Sequence, residues 1–172
     1  MSDITATPVA GFAIRKAVAE DVSLILRFIR ELAEYEQLLD EVKADEAQLA
    51  RTLFGEHPTA EVLIGEYRNE PAGFALFFHN YSTFLAKPGL YLEDLYIRRE
   101  LRGLGLGKAM LAHLASIAVA RDCGRFEWSG LDWNRQAIDF YRKLGAEPMD
   151  EWTVQRVTGH ALHKLAEKAR VG

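Results

Sequence analysis

The sequence predicts an α/β fold of the α+β type: a central, mostly antiparallel mixed β-sheet flanked by helices on both faces. Two observations carry that expectation. Strand-like and helix-like segments succeed one another as β-α-α, three strands, α, β, α, β, an order that a doubly wound parallel sheet does not produce. Past the chain's midpoint, a buried-looking strand ending at Ile97 runs through a glycine-rich loop, Arg102 to Lys108, into a helical pattern. At 172 residues, 49% hydrophobic and 27% charged, the chain can bury one compact core. Residues 1–10 read as a flexible tail and residues 11–172 as a single domain.

Each element has a local reason. Phe12 to Ala17 alternates weakly and reads as a first strand. Glu20 and Asp21 open a helix, acids at the positive end of its dipole, and Leu24, Ile25, Phe28, Ile29 and Leu32 form its apolar stripe. Asp45 with Gln48 makes a capping box for a second helix, with Leu49, Leu53 and Phe54 inward and Gly55 at its end. Glu61 to Arg68 and Ala72 to Asn80 are strands joined by a turn at Asn69-Glu70-Pro71, and Ser82 to Gly89 reads as a loop. The strand to Ile97 carries Tyr91, Leu92, Leu95 and Tyr96, and the helix after the glycines runs to Arg121 on Met110, Leu111, Leu114 and Ile117. Phe126 to Leu131 is a strand. Asn134 caps a helix that Gly145 stops, Trp152 to Val157 is a late strand, and Ala161 to Ala169 is a helical tail.

Composition excludes several function classes. No run of about 18 apolar residues could span a bilayer, and MSDITATPVAG lacks the zones of a secretion signal. A single cysteine, Cys123, fits a reducing cytoplasm. The formal charge of -4 argues against nucleic acid, and the histidines show no metal-ligand grouping. Glu31, Glu34, Glu36, Asp40, Glu41, Asp45 and Glu46 face only Lys43, which is either a solvated face or a collar that draws in a cation.

Gly103, Gly105 and Gly107 give the loop its chemistry. Glycines turn the backbone tightly and keep side chains away, so successive N–H groups converge on one oxyanion, and the following helix adds unpaired donors. The spacing is not that of a dinucleotide loop. A Walker loop would need a glycine where Arg102 stands and a hydroxyl where Ala109 stands. The remaining pattern, Arg102, Gly105 and Gly107, closely resembles the pyrophosphate loop of the GNAT acyltransferases. YLEDLYI, RGLGLGKAML and LDWNRQAIDFYRKLGAE, with IRELAEYE and FGEHP earlier, are similar to the diamine and thialysine N-acetyltransferases of that superfamily.

The resemblance implies acetyl-CoA as cofactor and a small primary amine as substrate. It gives Leu95, Tyr96 and Ile97 backbone contacts to the pantetheine arm. It places the diphosphate on Arg102, Gly103, Leu104, Gly105, Leu106, Gly107 and Lys108, and the sulfur end near Asn134, Arg135, Gln136 and Ala137. Tyr141, two helical turns after Asn134, would donate a proton to the departing thiolate; a phenol with an ordinary pKa near 10 holds that proton at neutral pH. Glu93 would collect the amine's proton through water. As strand neighbours, Glu93 and Asp94 are expected on opposite faces, one in the cleft. Tyr35 and Glu36, with Asp94, Glu127, Trp128 and Ser129, would line the amine site; no metal is implied. The loop STFLAKPG carries Lys87 and no acid, which favours a short or lysine-like amine over a polyamine. The resemblance also implies a homodimer. The alternative reading is a non-catalytic acyl-CoA-binding module on the same fold.

Overall fold

A computed structural model describes residues 4–169, which pack as two compact units, 4–129 and 130–169. The first unit is built on a six-stranded sheet in simple chain order. Its strands are β1 (Ile4–Ala6), β2 (Phe12–Lys16), β3 (Glu61–Tyr67), β4 (Glu70–Ser82), β5 (Lys87–Ile97) and β6 (Arg125–Trp128). Neighbours are antiparallel up to β5, and β5 pairs with β6 in parallel. The mixed, mostly antiparallel sheet expected from the sequence is therefore present.

Helices α1 (Val22–Tyr35) and α2 (Glu46–Phe54) cover one face, α3 (Leu106–Ala120) the other. The split is visible at two consecutive residues, since strand side chains alternate. Ile64 enters the cluster of Ile25, Phe28, Leu53, Phe74 and Tyr96, whereas Gly65 lies beneath Phe12 and the Met110 methyl of α3. Phe28 stacks on Phe74 at 5.7 Å between centroids. Burying a side chain of that size contributes about 1.5–3 kcal/mol, so the stripe that predicted α1 also fixes it to the sheet. Its start is fixed by charge: Arg15 of β2 holds Asp21 through bonds of 2.7 and 2.9 Å and Glu66 of β3 at 2.7 Å. The Arg15 guanidinium holds the Asp21 carboxyl below the usual carboxylate range. The capping box of α2 is formed as its spacing predicts, with Gln48 N–H donating to Asp45 Oδ1 at 2.8 Å and Asp45 N–H to Gln48 Oε1 at 3.2 Å.

Several boundaries differ from the sequence expectation. Ile4–Ala6, inside the expected tail, pairs with β2; residues 1–3 and 170–172 lie outside the described residues. The turn between β3 and β4 is Arg68-Asn69, both at positive φ (53° and 65°), the geometry of a two-residue hairpin. The expected loop from Ser82 to Gly89 is half strand: Ser82 pairs with Lys87 and Asn80 with Gly89, leaving residues 83–86 as the tip. Pro88 is tolerated because β6 begins pairing only at Gly89.

The second unit contains α4 (Arg135–Lys143) and α5 (Gly159–Glu167). The expected strand from Trp152 to Val157 is not one, and Trp152 and Val154 are exposed. Period-two alternation supplies a face but no partner, and among the described residues no strand pairs with it.

Candidate active site

The glycine loop grows out of the end of β5. After Ile97 a short 3-10 turn, Arg99–Leu101, leads to Arg102. Gly103 and Gly105 then take φ of 82° and 83°, in the left-handed region that other residues enter only at a cost. Gly105 is the N-cap of α3, and Ala109 N–H makes the helix's bond back to it at 3.0 Å. The N–H groups of Leu106, Gly107 and Lys108 therefore lie ahead of the helical ladder. Leu106 is buried, Leu104 and Lys108 exposed. Residues 106–108 are thus the helix's first turn, and only 102–105 are loop. Main-chain donors ahead of the ladder, at the positive end of a helix, are groups that can bond an anion.

Four residues before that strand ends at Ile97, the register breaks. Asp94 pairs with Leu76 and Leu92 with Phe77, so Glu93 is the extra residue of a β-bulge. This corrects the expectation that Glu93 and Asp94 simply alternate across a regular strand. Asp94 shares a face with Tyr96, the side covered by α1, while Glu93 is exposed. Burial, then the charges of Glu93 and Glu36, push the Asp94 carboxyl up to about 6. Glu36, just past α1, is itself raised by burial. The bulge and the end of α1 thereby assemble three carboxylates into one negative site.

The chain reverses out of α1 at Gln37, whose φ is 62°. Tyr35, in the last turn, packs against Arg102: the guanidinium lies 4.2 Å from its ring centroid and 5.8 Å from that of Tyr96. Arg102 Nε donates to the Ile97 carbonyl at 3.2 Å. Glu31, Glu34, Tyr35, Tyr96, Arg99 and Arg102 line a cavity of about 170 Å³ here. Glu31 and Glu34 belong to the acidic stretch that the sequence left open between a solvated face and a collar, whereas Arg99 carries no sequence signal for this role. Burial and a hydrogen bond with Glu31 push the Tyr96 phenol up to about 12.

On β6 the expected residues divide. Ser129 Oγ lies 2.8 Å from Tyr91 Oη, a partner the sequence did not mark. Trp128 is half-buried against Phe126. The Glu127 carboxylate is already bonded, to Asn80 at 3.0 Å and Arg125 at 2.9 Å. β6 pairs with β5 only through Leu92, so Leu95, Tyr96 and Ile97 lie beyond that ladder.

In the second unit, Asn134 caps α4 as predicted, its Oδ1 accepting from Ala137 N–H at 3.2 Å. Arg135 and Gln136 open that helix, and both are exposed. Tyr141 is half-buried; its ring packs on Phe140 at 5.6 Å, and a Cβ on Gly130 would stand 3.7 Å from its edge.

Residues 25–146 match the model of the Acetyltransferase (GNAT) family. The chain belongs to the GNAT acetyltransferase family. It is 39% identical over 170 residues to the thialysine N-epsilon-acetyltransferase of Sus scrofa, covering 92% of this chain and 99% of that one. It is 33% identical over 197 residues to the L-ornithine N5-acetyltransferase of Arabidopsis thaliana, covering 88% and 86%. Among solved structures, an integron cassette protein from the mobile metagenome of V. cholerae superposes with a TM-score of 0.77 at 27% identity, over 91% of this chain and 98% of that one. This GNAT protein is an N-acetyltransferase. Among the described residues no group of three His, Cys, Asp or Glu could hold a metal ion, and no helix is long and apolar enough to cross a membrane.

Proposed function

We propose that this enzyme transfers acetyl from acetyl-CoA directly to the primary amine of a small amine, with both substrates bound together. The observation that carries the reading is the sequel of features along β5: a carboxylate site at the Glu93 bulge, then an anion cradle opening α3. One suits an ammonium ion, the other a diphosphate.

The main chain from Arg102 to Lys108 holds the diphosphate, and Leu95 to Ile97 offer backbone groups to the pantetheine arm. Asn134, Arg135, Gln136 and Ala137 contact its sulfur end. An alkylammonium has a pKa of about 10.4 and must lose its proton before it attacks. Asp94 and Glu36 draw it in, Tyr35 packs along its chain, and exposed Glu93 collects the ammonium's proton through water. Trp128 and Ser129 complete the wall. Glu127, committed to Asn80 and Arg125, holds that wall in place. Tyr141 returns a proton to the thiolate.

A short or lysine-like amine is favoured. The hairpin tip, Thr83 to Ala86, offers no acid for a second ammonium group. Lys87, however, spends its charge on Asp122 at 2.6 Å, so repulsion by Lys87 is a weak part of that preference. The relatives named for thialysine and ornithine support the same choice. The reading includes a cytoplasmic homodimer, and the exposed Trp152, Val154 and Val157 support an interface. Release of the CoA thiol with a panel of lysine, thialysine, ornithine, diamines and spermidine tests the function. Turnover is expected with at least one short amine. Silence across the panel, with CoA still bound in calorimetry, overturns it.

A further inference from the structure

The loop that would hold the diphosphate and the helix end that would hold the amine are joined by one side chain. Arg102 begins the cradle, yet its guanidinium is applied to the ring of Tyr35 at 4.2 Å and anchored on the Ile97 carbonyl at 3.2 Å. Tyr35 is the last residue of α1, and Glu36, which follows it, is one of the charges acting on Asp94. A planar guanidinium on an aromatic face is a directional contact that a lysine ammonium does not reproduce.

We propose that Arg102 is a positioning residue for the amine: through the face of Tyr35 it sets the end of α1, so cradle and amine site strengthen one another's occupancy. The inference rests on the functional reading above and adds to it the link between the two sites. Gly103 has nothing within 4 Å of where a Cβ would sit, so that side of the loop is open. A diphosphate bonded to the main-chain amides fixes the backbone on which Arg102 sits. That ordering is then already done when the amine arrives, which is the condition for positive coupling. Because coupling of binding is reciprocal, it can be read from either ligand.

The experiment measures the Kd of CoA by calorimetry with and without a saturating amine, using whichever amine of the panel turns over fastest. In the wild type the amine is expected to tighten CoA about fivefold or more. Tyr35→Leu is expected to leave CoA alone bound within about twofold of wild type and to bring the coupling factor close to one, and Arg102→Lys is expected to bring that factor close to one whatever it does to the affinity for CoA alone. Tyr35→Phe keeps the ring and is expected to keep the coupling, which separates the stack from the hydroxyl and from loss of fold. The proposal is overturned by a wild-type factor near one or by coupling retained in Tyr35→Leu. It is equally overturned if Arg102→Lys weakens CoA by one factor regardless of amine, since Arg102 would then be a diphosphate ligand only. Failure of the wild type to bind CoA or to turn over any amine refutes instead the functional reading.

Discussion

Replacing Asp94 by asparagine is expected to make the protein more stable above neutral pH while impairing it as an enzyme. Burial, Glu93 and Glu36 raise the Asp94 carboxyl from an ordinary 3.8 to about 6. A raised carboxyl binds its proton more tightly in the folded state than in the unfolded one. Its contribution to stability is therefore fully present below the unfolded pKa and is lost as pH rises through the folded value. A shift of about two units at 1.36 kcal/mol each is worth about 3 kcal/mol. Part-exposure of Asp94 and screening of the exposed Glu93 reduce this to about 2 kcal/mol. Asparagine has the size of the protonated acid and does not titrate. In a chain of this length the gain amounts to roughly 4–8 °C in Tm at pH 7.5, shrinking toward zero near pH 4. Thermal unfolding of both proteins from pH 4.5 to 8.5 measures the difference directly, because the titrations of groups remote from Asp94 cancel. A difference that is flat with pH, or a loss that grows with pH, refutes the crowded-carboxylate account. The amine assay should move the other way: the variant lacks the charge that attracts an ammonium ion, a trade of stability against function.

Gly105→Ala tests the cradle. The new Cβ would meet only Val9 Cγ2, at an ordinary 3.7 Å, so any effect comes from the backbone at φ 83°. Holding a non-glycine residue there costs about 1–2 kcal/mol, and CoA affinity measured by calorimetry should fall about tenfold; unchanged affinity contradicts the cradle. Tyr141→Phe should lower kcat by about 10²-fold with CoA affinity preserved, and an unaltered kcat removes Tyr141 from the proton path.

Legibility in the sequence followed the range of the interactions. The capping box at Asp45 and Gln48, the cap at Asn134 and the stripe of α1 were readable because each is settled within about four residues. The strand from Trp152 to Val157 was misread and Ile4–Ala6 missed, because a strand exists only through a partner that local pattern does not name. Glu127 carried the right charge for a substrate contact, but the sequence could not show that Asn80, from another strand, already claims it.

By itself the sequence determined the family, the order of elements from β2 to α4 and the glycine loop that opens α3, since glycine conformational freedom and helix-start donors are properties of consecutive residues. Only the tertiary structure decided that Glu93 is a bulge residue, that Asp94 shares its field with Glu36, and that Arg102 lies on Tyr35. Those depend on strand register and on where α1 comes to rest against the sheet, and both are fixed by packing between residues far apart in the chain.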